Sequence, residues 1–134
     1  MRVAGLDIGD SRIGVAVSDL LGMIASPLTI ISRTGTKADV EAIIDIVRDK
    51  QVEMIIAGLP ISMDGSMGTQ AEKTKAFVAE LCRNTDVPVE FRDERLTTVS
   101  AKRLVQGVRK TNRETRYDAV AAALILQGYL DETF

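Results

Sequence analysis

Two apolar runs separated by a short polar turn open the chain. Residues 2–8 and 12–19 are rich in Val, Ile and Ala, and Gly9-Asp10-Ser11 lies between them. A Gly/Asp turn between two such runs indicates a β-hairpin. A third apolar run at residues 23–31 follows the next turn, so this part of the pattern predicts an antiparallel meander of three strands.

After the meander the apolar positions change to a helical spacing. Val40, Ile43, Ile44 and Val47 are spaced as one face of a helix, and Thr36-Lys37-Ala38-Asp39 has the spacing of a capping box. The run at 53–59 is almost continuously apolar, which is typical of a strand covered on both faces.

The remaining strands and helices are predicted from the same two patterns, apolar runs for strands and the helical spacing of apolar residues for helices. A strand is predicted at 87–92, helices at 69–83, 97–106 and 116–130, and loops at 60–68 and 107–114. Cys82 follows Val78 by four residues, and we expect its thiol to be a small core side chain. The order β-β-β-α-β-α-β-α-α predicts an α/β fold in which helices flank a mixed five-stranded sheet, as one domain over residues 1–134.

Composition restricts the chemistry more than the fold. The chain has 134 residues, of which 46% are hydrophobic, with one Cys and no His. Ser-His and Cys-His nucleophile pairs, zinc sites built from Cys and His, and disulfides within the chain are therefore excluded. Any catalysis must use carboxylates, hydroxyls, Lys or Arg, with or without a hard metal ion.

We expect a cytoplasmic protein without a membrane segment. Asp7 interrupts the first apolar stretch, so the N-terminus lacks the pattern of a signal peptide. The longest uncharged stretch, residues 20–32, contains Pro27 and is shorter than the roughly 20 residues that span a bilayer.

The small net charge of −2 conceals an uneven distribution. Between residues 92 and 116, eight basic and three acidic residues give a local charge of +5, which leaves −7 for the rest of the chain. The basic residues are Arg92, Arg95, Lys102, Arg103, Arg109, Lys110, Arg113 and Arg116. This window is either a solvated surface or a phosphate-binding face, and phosphate binding is favoured only if it lies beside a site that acts on phosphates.

Three acidic residues lie where predicted elements begin or end. Asp7 is near the end of the first strand, on the face of Val3 and Gly5, where a carboxylate is costly unless it is paired or bound to a cation. The alternative is a turn aspartate that accepts backbone N–H groups, a role for which Asp10 and Ser11 are also available.

The other two are Glu94 and Asp118. Glu94 follows the strand at 87–92, at the end where α/β sheets place their ligands, but its local sequence favours a partner of an arginine or a helix N-terminus. Asp118 opens the last predicted helix, and Thr115 three residues earlier also fits a capping box. If Asp7, Glu94 and Asp118 converge at one end of the sheet, their oxygens form a site suited to Mg²⁺ or Mn²⁺ and to hydrolysis of a phosphodiester.

Four segments in order resemble the YqgF/RuvX family of nucleases, within the ribonuclease H-like superfamily. They are Gly5-Leu6-Asp7-Ile8-Gly9 with residues 12–19, Gly58-Leu59-Pro60 with Met63-Asp64-Gly65-Ser66, Asp93-Glu94-Arg95-Leu96-Thr97-Thr98, and residues 118–127. The resemblance implies a ribonuclease H-like fold and an acidic metal site formed by Asp7, Glu94 and Asp118. The sequence departs from the family pattern at position 10, where it has Asp and family members commonly have Thr. We interpret Asp10 as a turn residue rather than an outer partner of the metal.

The resemblance also implies a metal-dependent nuclease that processes the 5′ end of pre-16S rRNA in the cytoplasm. Candidate substrate contacts are Arg95, Lys102, Arg103, Arg109 and Lys110, and the loop at 63–68 is a candidate lining of the cleft. Resolution of Holliday junctions is the alternative activity, and it requires a homodimer rather than a monomer. A nucleic-acid-binding module without catalysis is a second alternative, whereas an actin-like ATPase needs two such domains.

Overall fold

The computed structural model describes residues 1–60, 68–93 and 113–133, which form five strands and three helices. The strands are β1 (Arg2–Ile8), β2 (Arg12–Ser18), β3 (Ala25–Ser32), β4 (Val52–Leu59) and β5 (Val89–Asp93). The helices are α1 (Thr36–Asp49), α2 (Thr69–Arg83) and α3 (Arg113–Thr133). The helix predicted at 97–106 and most of both predicted loops lie outside the described residues.

One mixed sheet contains all five strands, in the order β3-β2-β1-β4-β5. β1 pairs antiparallel with β2, and β2 with β3, which confirms the predicted meander. β4 and β5 continue the sheet in parallel with β1. The predicted mixed five-stranded α/β fold is therefore confirmed.

Alternating side chains of β1 enter two separate cores. Leu6 and Ile8 pack with α1 and α2 on one face of the sheet. Val3 packs with Ala122, Leu126 and other residues of α3 on the opposite face. Because Asp7 alternates with Leu6 and Ile8, it lies on the face that α3 covers, as the strand period predicted.

The start of α1 differs from the prediction. Gly35 is its N-cap residue and no side chain caps the helix, so Thr36 is the first helical residue rather than the capping residue of a box. Asp39 is buried and serves the preceding loop instead: its carboxylate accepts hydrogen bonds from Arg33 Nε and from Thr34 N, each at 3.1 Å. A buried carboxylate needs such donors, and the loop supplies them.

Two expectations for the helices were wrong. Cys82 is exposed, because the buried stripe of α2 ends at Leu81 and the next residue is rotated away from the sheet. α3 spans Arg113–Thr133 rather than 116–130, so Thr115 lies inside the helix and not at the N-cap position that the capping-box alternative for Asp118 requires. The bounds of β1 and α2 agree with the prediction, and those of β2, β3, β4 and β5 differ by one or two residues.

Close packing at Gly5 brings α3 against β1. A Cβ atom at residue 5 would lie 2.8 Å from both Ala122 O and Leu126 Cβ. Only glycine leaves room for the helix at this distance, so Gly5 determines how near α3 approaches the central strand.

A salt bridge joins the far end of α3 to β5. Arg92 Nη1 and Nη2 donate to the two carboxylate oxygens of Glu132 at 2.7 and 2.9 Å. The guanidinium passes over Gly128, where a Cβ would lie 2.7 Å from Arg92 Nη2. The Arg92 side chain is only 11% exposed, and its hydrogen bonds hold the pKa of Glu132 below its ordinary value. This contact fixes the edge strand to α3.

None of the helices in the described part of the chain has both the length and the apolar character needed to cross a membrane.

Replacing Gly5 tests the close contact of α3 with β1. We expect Gly5→Ala to lower the free energy of unfolding by about 1–3 kcal/mol, the usual cost of an overpacked core. Gly35→Ala is the control, because a Cβ there meets nothing within 4 Å, and we expect a loss below about 1 kcal/mol. Chemical denaturation of the three proteins measures both values, and equal stability of Gly5→Ala and wild type would contradict the packing described.

The Arg92–Glu132 salt bridge predicts a pH dependence of stability. Because the folded-state pKa of Glu132 is lowered, its contribution is complete above the unfolded value near 4.5 and disappears as the pH falls through the lower folded value. We expect Glu132→Gln to be less stable than wild type at pH 7 and to converge with it in acid. Denaturation at a series of pH values measures this, with Glu41→Gln on the exposed face of α1 as control; a constant difference at all pH values would refute it.

Candidate functional site

Three parallel strands end together at one edge of the sheet, which we call the carboxyl edge. Leu6 pairs with Ala57, and Ala57 pairs with Phe91, so β1, β4 and β5 are in register across the sheet. Leu59 pairs with Asp93 at the last position of both strands. In open α/β sheets this is the edge at which ligands bind.

Asp7 lies at the carboxyl edge, with glycine at the neighbouring position of both adjacent strands. It is partly buried and pairs with Gly14 of β2. On its other side, the register that joins Leu6 to Ala57 places Gly58 beside it. Neither neighbour has a Cβ atom, so no side chain of the adjacent strands lies directly beside the Asp7 carboxylate on the α3 face.

The backbone of α3 places position 118 toward the same edge. Gly5 lies under Ala122 and Leu126, and Tyr129 Oη is 3.3 Å from Met54 Sδ, on the strand residue that pairs with Val3. The C-terminal half of α3 therefore lies over the start of β1, and the helix runs antiparallel to the strand. Position 118 lies one turn before Ala122, so its backbone is displaced from Ala122 along the helix axis in the direction of Asp7.

Glu94 lies outside the described residues, but the residue before it does not. Asp93 is the last residue of β5 and is at the carboxyl edge, in register with Leu59. The chain therefore leaves β5 for position 94 at the edge where Asp7 lies. The candidate substrate contacts Arg95, Lys102, Arg103, Arg109 and Lys110 also lie outside the described residues.

The donor chemistry at this edge suits a hard divalent cation. Asp7 offers carboxylate oxygens, which Mg²⁺ and Mn²⁺ prefer, and it has glycine on both neighbouring strands. Among residues 1–60, 68–93 and 113–133 there is no group of three or more His, Cys, Asp or Glu side chains that could hold a metal ion. Glu94 and the side chain of Asp118 lie outside what the structure describes, so their assignment as ligands stays a prediction.

One member of the basic window is already neutralised. Arg92 is bound by Glu132, and this carboxylate raises the pKa of Arg92 further above its ordinary value. The positive charge of residues 92–116 available for a ligand is therefore smaller than the sequence count of +5. A partner 40 residues away leaves no local signal in the sequence.

Two basic side chains that the sequence analysis did not select contact the turn between β1 and β2. Arg33 Nη1 donates to Gly9 O at 3.0 Å, and Lys73 Nζ lies 3.6 Å from Asp10 Oδ1. Asp10 is exposed and lies in the turn, as expected. No periodic pattern marks Arg33 or Lys73, because each belongs to a different element and only the fold brings them together.

Comparison with known proteins gives a consistent result over nearly the full chain. The family model described as "RuvX: Holliday junction resolvase" matches residues 1–132. A protein of Clostridioides difficile (strain 630) named "Putative pre-16S rRNA nuclease" is 47% identical over 132 residues, which cover 97% of this chain and 94% of the relative. A relative of the same name from Paracoccus denitrificans (strain Pd 1222) is 51% identical over 133 residues, or 96% of this chain and 83% of its own.

Solved structures share the fold at low sequence identity. RuvC of T. thermophilus in complex with a Holliday junction substrate has a TM-score of 0.65 at 15% identity, and the match covers 98% of this chain and 96% of that one. The fowlpox virus Holliday junction resolvase has a TM-score of 0.58 at 14% identity and is covered completely, as is this chain. The architecture is thus the ribonuclease H-like fold of these resolvases, and the sequence matches show that the chain belongs to the RuvX family.

Proposed function

We propose that the chain is a metal-dependent nuclease that hydrolyses a phosphodiester bond at the 5′ end of pre-16S rRNA. The observation that carries the proposal is Asp7, a partly buried carboxylate at the carboxyl edge with glycine on both sides. The relatives named as pre-16S rRNA nucleases, at 47 and 51% identity, support this substrate. We infer that residues 1–134 act as one nuclease domain in the cytoplasm.

Asp7, Glu94 and Asp118 are the residues we assign to hold Mg²⁺ or Mn²⁺. Such a cation, when bound, neutralises charge on the scissile phosphate and on the leaving oxygen. β1 supplies Asp7 from the centre of the sheet, β5 leads directly to Glu94, and α3 carries Asp118. Because these elements are tied together at Gly5 and through Arg92–Glu132, the protein supplies a rigid frame for the three carboxylates.

The basic residues after Glu94 complete the proposed interface. Arg95, Lys102, Arg103, Arg109 and Lys110 hold the phosphates of the substrate strand in this proposal. Contacts to phosphates carry no sequence information, so they contribute affinity and orientation rather than recognition of bases. A low aromatic content of 4% is consistent with binding through the backbone of the nucleic acid.

Resolution of a Holliday junction is the second candidate activity. It is favoured by the description of the matching family model and by the shared fold with RuvC bound to a junction. Paired cuts in a four-way junction require two sites related by symmetry and hence a dimer. A single site on a monomer suffices for cleavage of precursor RNA.

Replacing Asp7 tests the assignment of the site. We expect Asp7→Asn to remain folded and to lose Mg²⁺-dependent cleavage of precursor RNA by more than about 100-fold, the upper end of what loss of an outer metal partner costs. Asp45→Asn is the matched control, because it makes the same charge change at an exposed position of α1. Initial rates and thermal unfolding of the three proteins are the measurements. Cleavage by folded Asp7→Asn at the wild-type rate would overturn the assignment.

Cleavage assays on precursor RNA and on a four-way DNA junction test which substrate the protein prefers. We expect the wild type with Mg²⁺ to cleave RNA that spans the 5′ end of 16S rRNA and to leave a four-way DNA junction of the same concentration uncut. Light scattering measures the mass of the protein in the same buffer. Symmetric cuts in the junction by a dimer would favour the resolvase, and salt-sensitive binding without product under any divalent cation would indicate a binding module.

A further inference from the structure

A cleft between α1 and α2 opens on the other side of the carboxyl edge from Asp7. Its volume is about 590 Å³, and its lining includes three cationic side chains, those of Arg33, Lys37 and Lys73, and one acidic side chain, that of Glu80. Glu80 is engaged by Arg83, one turn further along α2. The cations come from three different elements, the loop after β3, the first turn of α1 and the first half of α2.

The turn between β1 and β2 forms the boundary between this cleft and Asp7. Arg33 donates to Gly9 O, and Lys73 lies 3.6 Å from the Asp10 carboxylate, so both cations contact this turn. Asp7 and Asp10 are three residues apart, which limits the distance between their Cα atoms to about 11 Å. Asp10, which pairs with Lys73 of the cleft, therefore lies close to Asp7.

Arg33 is held in position before any ligand binds. Its Nε donates to the buried carboxylate of Asp39, and its guanidinium lies 5.0 Å from the centroid of the Phe77 ring. The side chain nevertheless remains 22% exposed. A guanidinium fixed on an aromatic ring and a carboxylate loses little freedom when it binds an anion.

The lysines of the cleft are available for exchange. Lys73 and Asp10 are 58% and 63% exposed, and a pair so exposed contributes little free energy, so a phosphate can displace the carboxylate. Lys37 is exposed in the first turn of α1. Phe77 is 4% exposed and lies under Arg33, so the cleft offers charge rather than a surface for stacking bases.

We propose that the α1–α2 cleft binds backbone phosphates of the single strand that flanks the scissile bond. This inference rests on the proposed function, since it takes the site at Asp7 to act on nucleic acid. Lys37 and Lys73 supply the charge that accepts successive phosphates, and Arg33, whose charge is balanced by Asp39, is a fixed guanidinium donor beside them. The contact is independent of sequence, because phosphates are identical at every position.

The test compares two double variants of equal net charge. Lys37→Gln with Lys73→Gln removes the cleft lysines, whereas Lys50→Gln with Lys75→Gln removes two lysines that do not line the cleft. Binding of a labelled single-stranded RNA of about 16 nucleotides is measured in EDTA over a range of salt concentrations. We expect the cleft variant to reduce the slope of log Kd against log salt by about 1.4, since each phosphate contact contributes about 0.7.

A second arm uses the acidic partner of Lys73. Asp10→Asn removes the competing carboxylate, and we expect it to bind the same RNA more tightly than wild type. Equal slopes for the two lysine double variants, or weaker binding by Asp10→Asn, would overturn the cleft as a phosphate site. EDTA suppresses metal-dependent cleavage, so binding is measured independently of activity. If the salt slopes of the two lysine double variants differ but the wild type cleaves no RNA with Mg²⁺, the proposed function fails and this inference does not.

Discussion

The contact between α3 and β1 at Gly5 is the constraint on which the arrangement of the candidate site depends. The helix can lie this close only because residue 5 has no Cβ, and the backbone of Ala122 and the side chain of Leu126 occupy that space. Asp7 is two residues further along the strand, and position 118 is one turn back along the helix. The same close contact that fills the second core therefore sets how two proposed cation ligands approach each other.

The frame around this contact is electrostatic as well as apolar. Arg92 and Glu132 connect the edge strand to the end of α3, while Asp39 holds Arg33 against the turn that follows β1. Each of these ion pairs has one side chain that is largely buried and hydrogen bonds of ordinary length. The first therefore restrains β5 against α3, and the second restrains the loop after β3.

Periodic features were predictable from the sequence, whereas contacts between distant residues were not. Alternation and helical spacing gave the bounds of β1 and α2, the meander and the face of Asp7, because these depend on local burial. The capping box at Thr36 and the buried position of Cys82 were wrong, since a loop arginine recruited Asp39 and the buried stripe of α2 ended one residue earlier. The pairs Arg92–Glu132 and Asp10–Lys73 join residues 40 and 63 positions apart, and no local pattern contains them.

Anomalous diffraction from crystals grown with Mn²⁺ tests most directly whether the carboxyl edge is a cation site. A peak coordinated by Asp7 together with Glu94 and Asp118, absent from crystals of Asp7→Asn, is the predicted result. An ion bound elsewhere, or no ion at Asp7 under conditions in which the enzyme cleaves RNA, would contradict a metal-dependent site built on β1, β5 and α3.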